Sequence, residues 1–252
     1  MKRLLLLFTL LMSIHGFGQT PIITMISDGD CSGGNPKVVE IYADGAVDFA
    51  NYSLEKQSNA NTTWGSTTNL ADLGVVTDDF VYIYKDDPSF ASEFPSVSNS
   101  FASGSQAVNF NGDDRIRIIE DTSGNIIDEF GADGVDGSGE VWEYKDGYAK
   151  RNNGTGPDST FSAGNWTFSN GALDGKGTCQ GGTAFESVIG INDYSLSSKS
   201  FAKSNVQVYP NPVTNGRINI DHQLGNNVNL KIFSIQGKQV LNRVVTQNES
   251  VN

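Results

Sequence analysis

Apolar and polar side chains alternate in short runs along most of this chain. In the segment KVVEIY, Val39 and Ile41 fall on one face of an extended strand, whereas Val38 and Glu40 fall on the other. The segment FVYIYKD repeats this pattern, and clusters of Gly, Asn, Asp and Ser separate one run from the next. No long segment shows helical periodicity. The pattern therefore predicts an all-β sandwich or barrel, which we place at residues 20–182.

One hairpin is predicted in more detail, from the sequence RIRIIEDTSGNIIDEF. Its first strand should turn Ile116 and Ile118 to the core and Arg115 and Arg117 to the solvent. The residues SGN supply the turn. The serine-rich stretch that precedes this hairpin, residues 86–106, is predicted to be a surface loop.

The first residues predict export. Residues 1–19 begin with Lys2 and Arg3, continue with an apolar run and end in small and polar residues, as a secretory signal peptide does. No later stretch approaches the roughly 20 apolar residues that a membrane-spanning helix needs.

Charge separates the chain into two parts. Residues 20–204 hold 11 basic and 27 acidic side chains, a net charge of −16, whereas residues 205–252 hold 4 basic and 2 acidic ones. A body this acidic is a poor partner for nucleic acid or an anionic membrane, because binding to phosphates requires clustered Lys and Arg. The acidic charge of the body is compatible with an extracellular domain, including one that contacts cations.

The sequence holds few histidines and cysteines, which nucleophilic catalysis and zinc sites commonly use. The two histidines are His15, in the signal, and His222, near the C-terminus, so a serine or cysteine nucleophile in the body lacks the usual base. Two distant cysteines do not make a zinc ligand set. In an exported protein we expect Cys31 and Cys179 to form a disulfide that joins the two ends of the body, the alternative being two free thiols.

Carboxylates and aromatic rings leave three weaker candidates. A glycosidase-like pair would come from the carboxylates nearest to strands and aromatics, which are Glu40, Glu129, Glu140 and Glu143. In the loop GADGVDGSGE, Asp133, Asp136 and Glu140 are candidate oxygen ligands for calcium; an ordinary surface turn is the favoured interpretation, and no cofactor is predicted. Trp64, in the polar loop NANTTWGSTTN, is the candidate ring for stacking on a carbohydrate.

Three blocks of the body, in this order, resemble the lamin-tail family. They are KVVEIYADGAVDFANYSLEKQ, NFNGDDRIRIIEDTSGNIIDEFG and the closing segment that runs from VWEYKDG to NWTFSNGALDG. The resemblance implies an immunoglobulin-like β-sandwich with Trp142 and Trp166 in or near its core. Bacterial members often accompany secreted enzymes, so the resemblance implies an accessory module rather than a catalyst.

The C-terminal segment resembles a type A sorting domain of the type IX secretion system. The motif Tyr209-Pro210-Asn211-Pro212, the following Asn-Gly and the segment VNLKIFSIQGKQVLNRVV carry the resemblance. We place this domain at residues 205–252, after a serine-rich linker at residues 183–204. Its last strands are not recognisable, so we expect a small β-sandwich that is truncated, poorly ordered and inefficient in crossing the outer membrane.

Together these features predict a secreted or cell-surface module for binding or adhesion. The resemblance implies passage through the periplasm, the type IX machinery as a partner and attachment at the outer membrane. A polysaccharide or another surface protein is the predicted ligand, and no catalysis is expected. The alternative is an enzyme that degrades extracellular polymers, such as a nuclease or a glycoside-acting enzyme, or the accessory domain of one.

Overall fold

A computed structural model describes residues 19–196, 206–210, 212, 216–222, 228–234, 236–246 and 249–251. Residues 1–18 of the predicted signal, residues 197–204 of the predicted linker and Asn211 of the sorting motif lie outside the described residues. The chain divides into two compact units, Met1–Leu196 and Ser197–Asn252. No helix within the described residues is long and apolar enough to cross a membrane.

Besides five 3₁₀ helices of three residues each, the described residues form fifteen strands and two short α-helices. In chain order they are β1 (Thr20–Cys31), β2 (Asn35–Asp48), β3 (Tyr52–Gln57), β4 (Ser66–Asn69), β5 (Val75–Lys85), α1 (Ser89–Glu93), β6 (Ser100–Ser103), β7 (Arg115–Glu120), β8 (Ile126–Phe130), β9 (Gly147–Arg151), β10 (Trp166–Ser169), α2 (Phe185–Ile189), β11 (Val206–Tyr209), β12 (Ile218–His222), β13 (Val228–Phe233), β14 (Gln239–Val245) and β15 (Glu249–Val251).

The body is a sandwich of two sheets, as the alternation predicts. One sheet has six strands in the order β10-β9-β1-β2-β5-β6, and the other has four in the order β4-β3-β7-β8. All neighbours are antiparallel except β5 and β6. Val39 and Ile41 of the larger sheet and Ile116 and Ile118 of the smaller one belong to a single buried cluster. The shared core between the sheets confirms the all-β fold class.

Aromatic rings fill one part of this core. The ring of Phe130 has neighbours at centroid distances of 4.8 Å (Trp166), 5.3 Å (Phe161), 5.5 Å (Tyr144) and 5.9 Å (Trp142), in edge-to-face arrangements that the ring quadrupoles favour. Trp142 and Trp166 are both buried. Their predicted place in the core is therefore confirmed.

The outer face of the six-stranded sheet is covered by chain that we predicted to be loop and linker. The predicted loop contains α1 and β6, and Phe90 and Phe94 pack in a second buried cluster with Val38 of β2. Phe185 and Ile189 of α2 join the same cluster. The body therefore extends to residue 196, and the start of the linker at residue 183 is corrected, because these apolar side chains bury more surface against the sheet than a solvated linker could.

A disulfide between Cys31 and Cys179, whose Cα atoms are 5.8 Å apart, fastens this covering segment to the end of β1. The predicted pairing is confirmed. Beside it, the buried carboxylate of Glu93 accepts hydrogen bonds from the Thr178 hydroxyl (2.5 Å) and from the backbone N–H groups of Cys179 (2.9 Å) and Phe185 (3.1 Å). The bridge and the carboxylate thus hold the same segment.

The second unit is a small β structure. β11, β12 and β15 form one antiparallel sheet, and β13 and β14 form a hairpin. Ile220, Val245 and Val251 are buried together, with Ile218 and Leu230 packed partly against them. These apolar side chains form the core of the second unit.

Candidate functional site

A cleft on the outer face of the four-stranded sheet contains Trp64, the residue predicted to stack on a ligand. Strand β7 sends Ile116 and Ile118 into the core, so Arg115 and Arg117 project from the opposite face. The predicted face is therefore right for both arginines, but the predicted exposure to solvent is wrong for Arg115. Arg115 is buried, because chain from neighbouring strands and loops closes over it.

Four groups surround the guanidinium of Arg115. Its Nη2 contacts Glu129 at 2.5 Å, its Nη1 contacts Asp133 at 2.7 Å and Gln57, and its Nε donates to the carbonyl oxygen of Gly131 at 3.3 Å. Strand β3 supplies Gln57 and strand β8 supplies Glu129, so Arg115 ties three neighbouring strands together. The contacts to carboxylates are charge-assisted hydrogen bonds, which are the stronger kind.

Trp64 lies in the loop between β3 and β4 and rests against both arginines. The guanidinium carbon of Arg117 is 4.0 Å from the centroid of the indole, and that of Arg115 is 4.9 Å from it. Glu55 orients Arg117, because Nε and Nη2 both contact its Oε2, at 2.7 and 2.6 Å. The indole is therefore half-buried and held by cation–π contacts with both guanidinium groups.

The cleft encloses about 340 Å³, and Glu129, Asp133, Ser159 and Thr160 complete its polar walls. Several polar atoms there have no partner among the described residues, namely Nη1 of Arg117, one carboxylate oxygen each of Glu129 and Asp133, and the hydroxyls of Ser159 and Thr160. The cleft can therefore donate and accept hydrogen bonds beside an aromatic ring. This combination is typical of sites for small polar ligands.

The predicted calcium ligands are not gathered around one point. Asp133 contacts Arg115, whereas Asp136 accepts hydrogen bonds from the backbone N–H of Ser138 (3.0 Å) and the side chain of Asn59 (3.3 Å). Glu140 is exposed. Within the described residues, two acidic or thiol clusters bring three ligand atoms within 4.8 Å, and neither includes these three residues. One cluster contains the disulfide, and the other consists of Asp30, Asp146 and Asp174.

Two of the carboxylates considered for hydrolysis, those of Glu40 and Glu129, lie on opposite sides of the body. Glu40 lies on the outer face of the six-stranded sheet and Glu129 on the outer face of the four-stranded sheet, so the whole sandwich separates them. Glu143 accepts hydrogen bonds from the backbone N–H of Gly139 (3.1 Å) and from Asn170 (3.0 Å) at the surface. Glu40 and Glu129 therefore do not form a pair.

Glu40 instead fastens the covering segment to its sheet. Its buried carboxylate accepts hydrogen bonds from the hydroxyls of Thr24 (2.7 Å) and Tyr82 (2.6 Å) and from the backbone N–H of Asn192 (3.0 Å). Burial raises the pKa of Glu40 above its ordinary value of 4.5, although the N–H of Asn192 and the two hydroxyls oppose the shift.

Replacing Glu40 with glutamine should change how stability depends on pH. The raised pKa means that the folded protein keeps a proton that the unfolded chain releases, so this group contributes most below pH 4.5 and its contribution falls as pH rises through the folded-state pKa. Glu40→Gln has no proton to lose. We expect the free energy of unfolding of the parent protein to fall relative to that of the variant from pH 4.5 to about pH 7. Urea unfolding of both proteins across this range measures the difference, and parallel curves would contradict the prediction.

Sequence reasoning missed several walls of the cleft. Arg117 could have been found, since the Arg-Ile-Arg spacing predicts two guanidinium groups on one exposed strand face. Ser159 and Thr160 belong to the loop between β9 and β10 and carry no signal in the sequence. Their place in the cleft follows from the tertiary structure alone.

The comparisons with known proteins bear on the C-terminal unit. Residues 207–252 match the family described as "Secretion system C-terminal sorting domain". This match confirms the predicted sorting domain of the type IX secretion system, and such a domain indicates secretion or attachment at the cell surface. Tyr209, the first residue of the predicted motif, ends β11 with a half-exposed side chain, and Pro210 and Pro212 follow it at the surface.

The family match does not extend to the body. Its resemblance to lamin-tail domains is not confirmed by a family match and stays a prediction. Searches of curated proteins and of solved structures found no match to the chain.

Proposed function

We propose that this protein is a non-catalytic binding or adhesion module that the type IX secretion system delivers to the medium or to the outer surface of the cell. One observation carries the binding role: the cleft beside Trp64 offers a fixed aromatic ring and unused donors and acceptors at the surface of a rigid sheet. Strands supply Arg115, Arg117 and Glu129, and the cation–π contacts hold Trp64 of the neighbouring loop against the two arginines, which lowers the entropic cost of binding. The ligand is an extracellular polysaccharide or a surface protein.

The contacts within the cleft favour binding over catalysis. Glu129 and Asp133 each contact the guanidinium of Arg115, which itself is locked between strands. A hydrolase of the glycosidase type needs two carboxyl groups in separate roles on either side of the scissile bond. Here the carboxylates of Glu129 and Asp133 both pair with the guanidinium of Arg115, and these contacts order the wall of the cleft. If the protein is instead an enzyme, it should turn over a substrate. If it is the accessory domain of an enzyme, it should act together with a catalytic partner.

The sorting domain supports delivery through the periplasm and attachment at the outer membrane. In a host with a type IX system, we expect part of the full chain to reach the medium or the cell surface, because residues 207–252 match the sorting family, even though the export is predicted to be inefficient. A variant that lacks these residues should collect in the periplasm. Fractionation of the cells with immunoblotting measures both, and equal export of the two forms would contradict this role of the segment.

The binding role is tested with the purified full chain, intact bacterial cells and a panel of insoluble and soluble extracellular polymers. We expect retention on at least one of them and a loss of roughly tenfold in affinity for Trp64→Ala, as for a central aromatic contact. Val141→Ala, which shortens an exposed apolar side chain outside the cleft walls, is the control and should bind normally. Absence of binding to every probe, or robust release of products, would overturn the proposal.

A further inference from the structure

The ligand class of the cleft follows from its balance of charge and hydrogen-bonding groups. We propose that the cleft beside Trp64 binds a sugar unit of an uncharged polysaccharide, with the pyranose ring against the indole and its hydroxyls on the surrounding polar atoms. This inference rests on the proposed binding function and specifies its ligand. Three features of the site carry it.

The first feature is a ring that is already in its binding position. The guanidinium groups of Arg117 and Arg115 lie 4.0 and 4.9 Å from the centroid of the indole of Trp64, and Glu55 in turn holds Arg117. The indole therefore has little rotational freedom left to lose when a ligand arrives. The apolar C–H surface of a pyranose packs on the part of the ring that the two guanidinium groups leave exposed, and this aromatic area makes the ring an effective anchor.

The second feature is a mixture of donors and acceptors within reach of that ring. Nη1 of Arg117 can only donate, the free oxygens of Glu129 and Asp133 only accept, and the hydroxyls of Ser159 and Thr160 do both. Sugar hydroxyls also donate and accept, and neighbouring hydroxyls on one ring need both kinds of partner. A purely anionic ligand would leave the carboxylate oxygens facing like charge, and an apolar one would leave all of these groups unsatisfied.

The third feature is the charge of the cleft and of the body. The two guanidinium groups are matched by the carboxylates of Glu55, Glu129 and Asp133, so the cleft has no excess of positive charge. Residues 20–204 together carry a net charge of −16. The negative charge of the body repels a polyanion as it approaches the cleft, whereas it does not repel an uncharged polysaccharide. The volume, about 340 Å³, is at the small end of ligand pockets and suits a short stretch of a chain that runs on across an open surface.

The test is affinity electrophoresis of the full chain in gels that contain a neutral polysaccharide (hydroxyethylcellulose, laminarin, galactomannan or arabinoxylan) or a polyanion (alginate or polygalacturonate). We expect retardation by at least one neutral polymer and by neither polyanion. Binding in solution should change less than about twofold between low and roughly 0.5 M salt, because no counterions are released. Trp64→Ala should weaken it by roughly tenfold.

A second variant controls for the case in which Trp64→Ala weakens binding only because it disturbs the loop that carries Trp64. Ser159→Ala combined with Thr160→Val removes two exposed hydroxyls that make no contact among the described residues, so the fold is unaffected while binding should fall by several-fold. Val141→Ala remains the control. Binding of a polyanion that salt abolishes, or binding of a neutral polymer that neither variant weakens, would overturn the inference.

The outcomes separate this inference from the proposed function. Retention on cells that is lost after protease treatment, with no retardation by any neutral polymer, would refute the sugar site and leave a binding module for a surface protein. Absence of binding to cells and to every polymer would refute both.

Discussion

Replacing Asp128 with asparagine is expected to lower the free energy of unfolding by about 3–5 kcal/mol, the largest effect that we expect from a single conservative change. The side chains of Asp128 and Arg151 are almost fully buried, and both oxygens of Asp128 lie 2.6 Å from Nη2 of Arg151. The backbone N–H groups of Ile23 (2.8 Å) and Asp158 (3.0 Å) also donate to this carboxylate. The variant leaves a buried guanidinium without its counter-charge.

The position of this pair explains the size of the expected effect. Asp128 belongs to β8 of the four-stranded sheet and Arg151 to β9 of the six-stranded sheet, so the ion pair joins the two layers of the sandwich. Arg151 also donates from Nε to the carbonyl of Ile23 and from Nη1 to that of Gly156, each at 2.7 Å. Loss of the carboxylate therefore weakens a network in which every member depends on the others.

Urea unfolding at about pH 7.5 measures this loss. Burial raises the pKa of Asp128 to about 6, so the carboxylate is ionised and paired at that pH. Asp193→Asn is the matched control, because Asp193 forms an ion pair with Lys150 at 2.5 Å while it remains largely exposed. Its loss should cost about 1 kcal/mol or less. Equal effects of the two variants would show that the buried pair does not join the sheets as we infer.

Removing the disulfide is expected to cost about 2–5 kcal/mol. The bridge links residues 148 positions apart and therefore restricts the unfolded chain strongly. In the folded protein it holds the segment that brings Phe185 and Ile189 onto the outer face of the six-stranded sheet. Without it, that segment depends on the hydrogen bonds of Glu93 and Glu40, so residues 178–190 should exchange their amide hydrogens faster than the sheets do.

The measurement compares urea unfolding of the oxidised protein, the reduced protein and the double variant Cys31→Ser, Cys179→Ser. Thr178→Val is the control within the same turn, since it removes one hydrogen bond to Glu93 and keeps the bridge; it should cost only about 1 kcal/mol. Reductant should not affect the double variant. If the oxidised and reduced proteins unfold at the same urea concentration, the bridge does not stabilise the body.

Local patterns were enough to predict the features whose physical cause is local. The period of two along a strand placed Ile116 and Ile118 in the core and turned Arg115 and Arg117 to the opposite face of the sheet, because side chains of an extended chain alternate between two faces. The sorting domain lies within one short segment, and the family match confirms the domain. The disulfide was predictable because an exported body with two cysteines offers one pairing.

The alternation and the local motifs were thus sufficient to predict the sandwich, its inward faces, the sorting domain and the pairing of the cysteines. The partners of polar and aromatic residues far apart in the chain depended instead on the tertiary structure. It brought Asp128 against Arg151, closed chain over Arg115, and set Ser159 and Thr160 beside Trp64. The tertiary structure also packs Phe185 against the sheet, in a segment whose composition predicts a linker. The physical reason is that alternation specifies which face a side chain occupies, whereas its neighbours depend on strand order and on the loops that pack above that face.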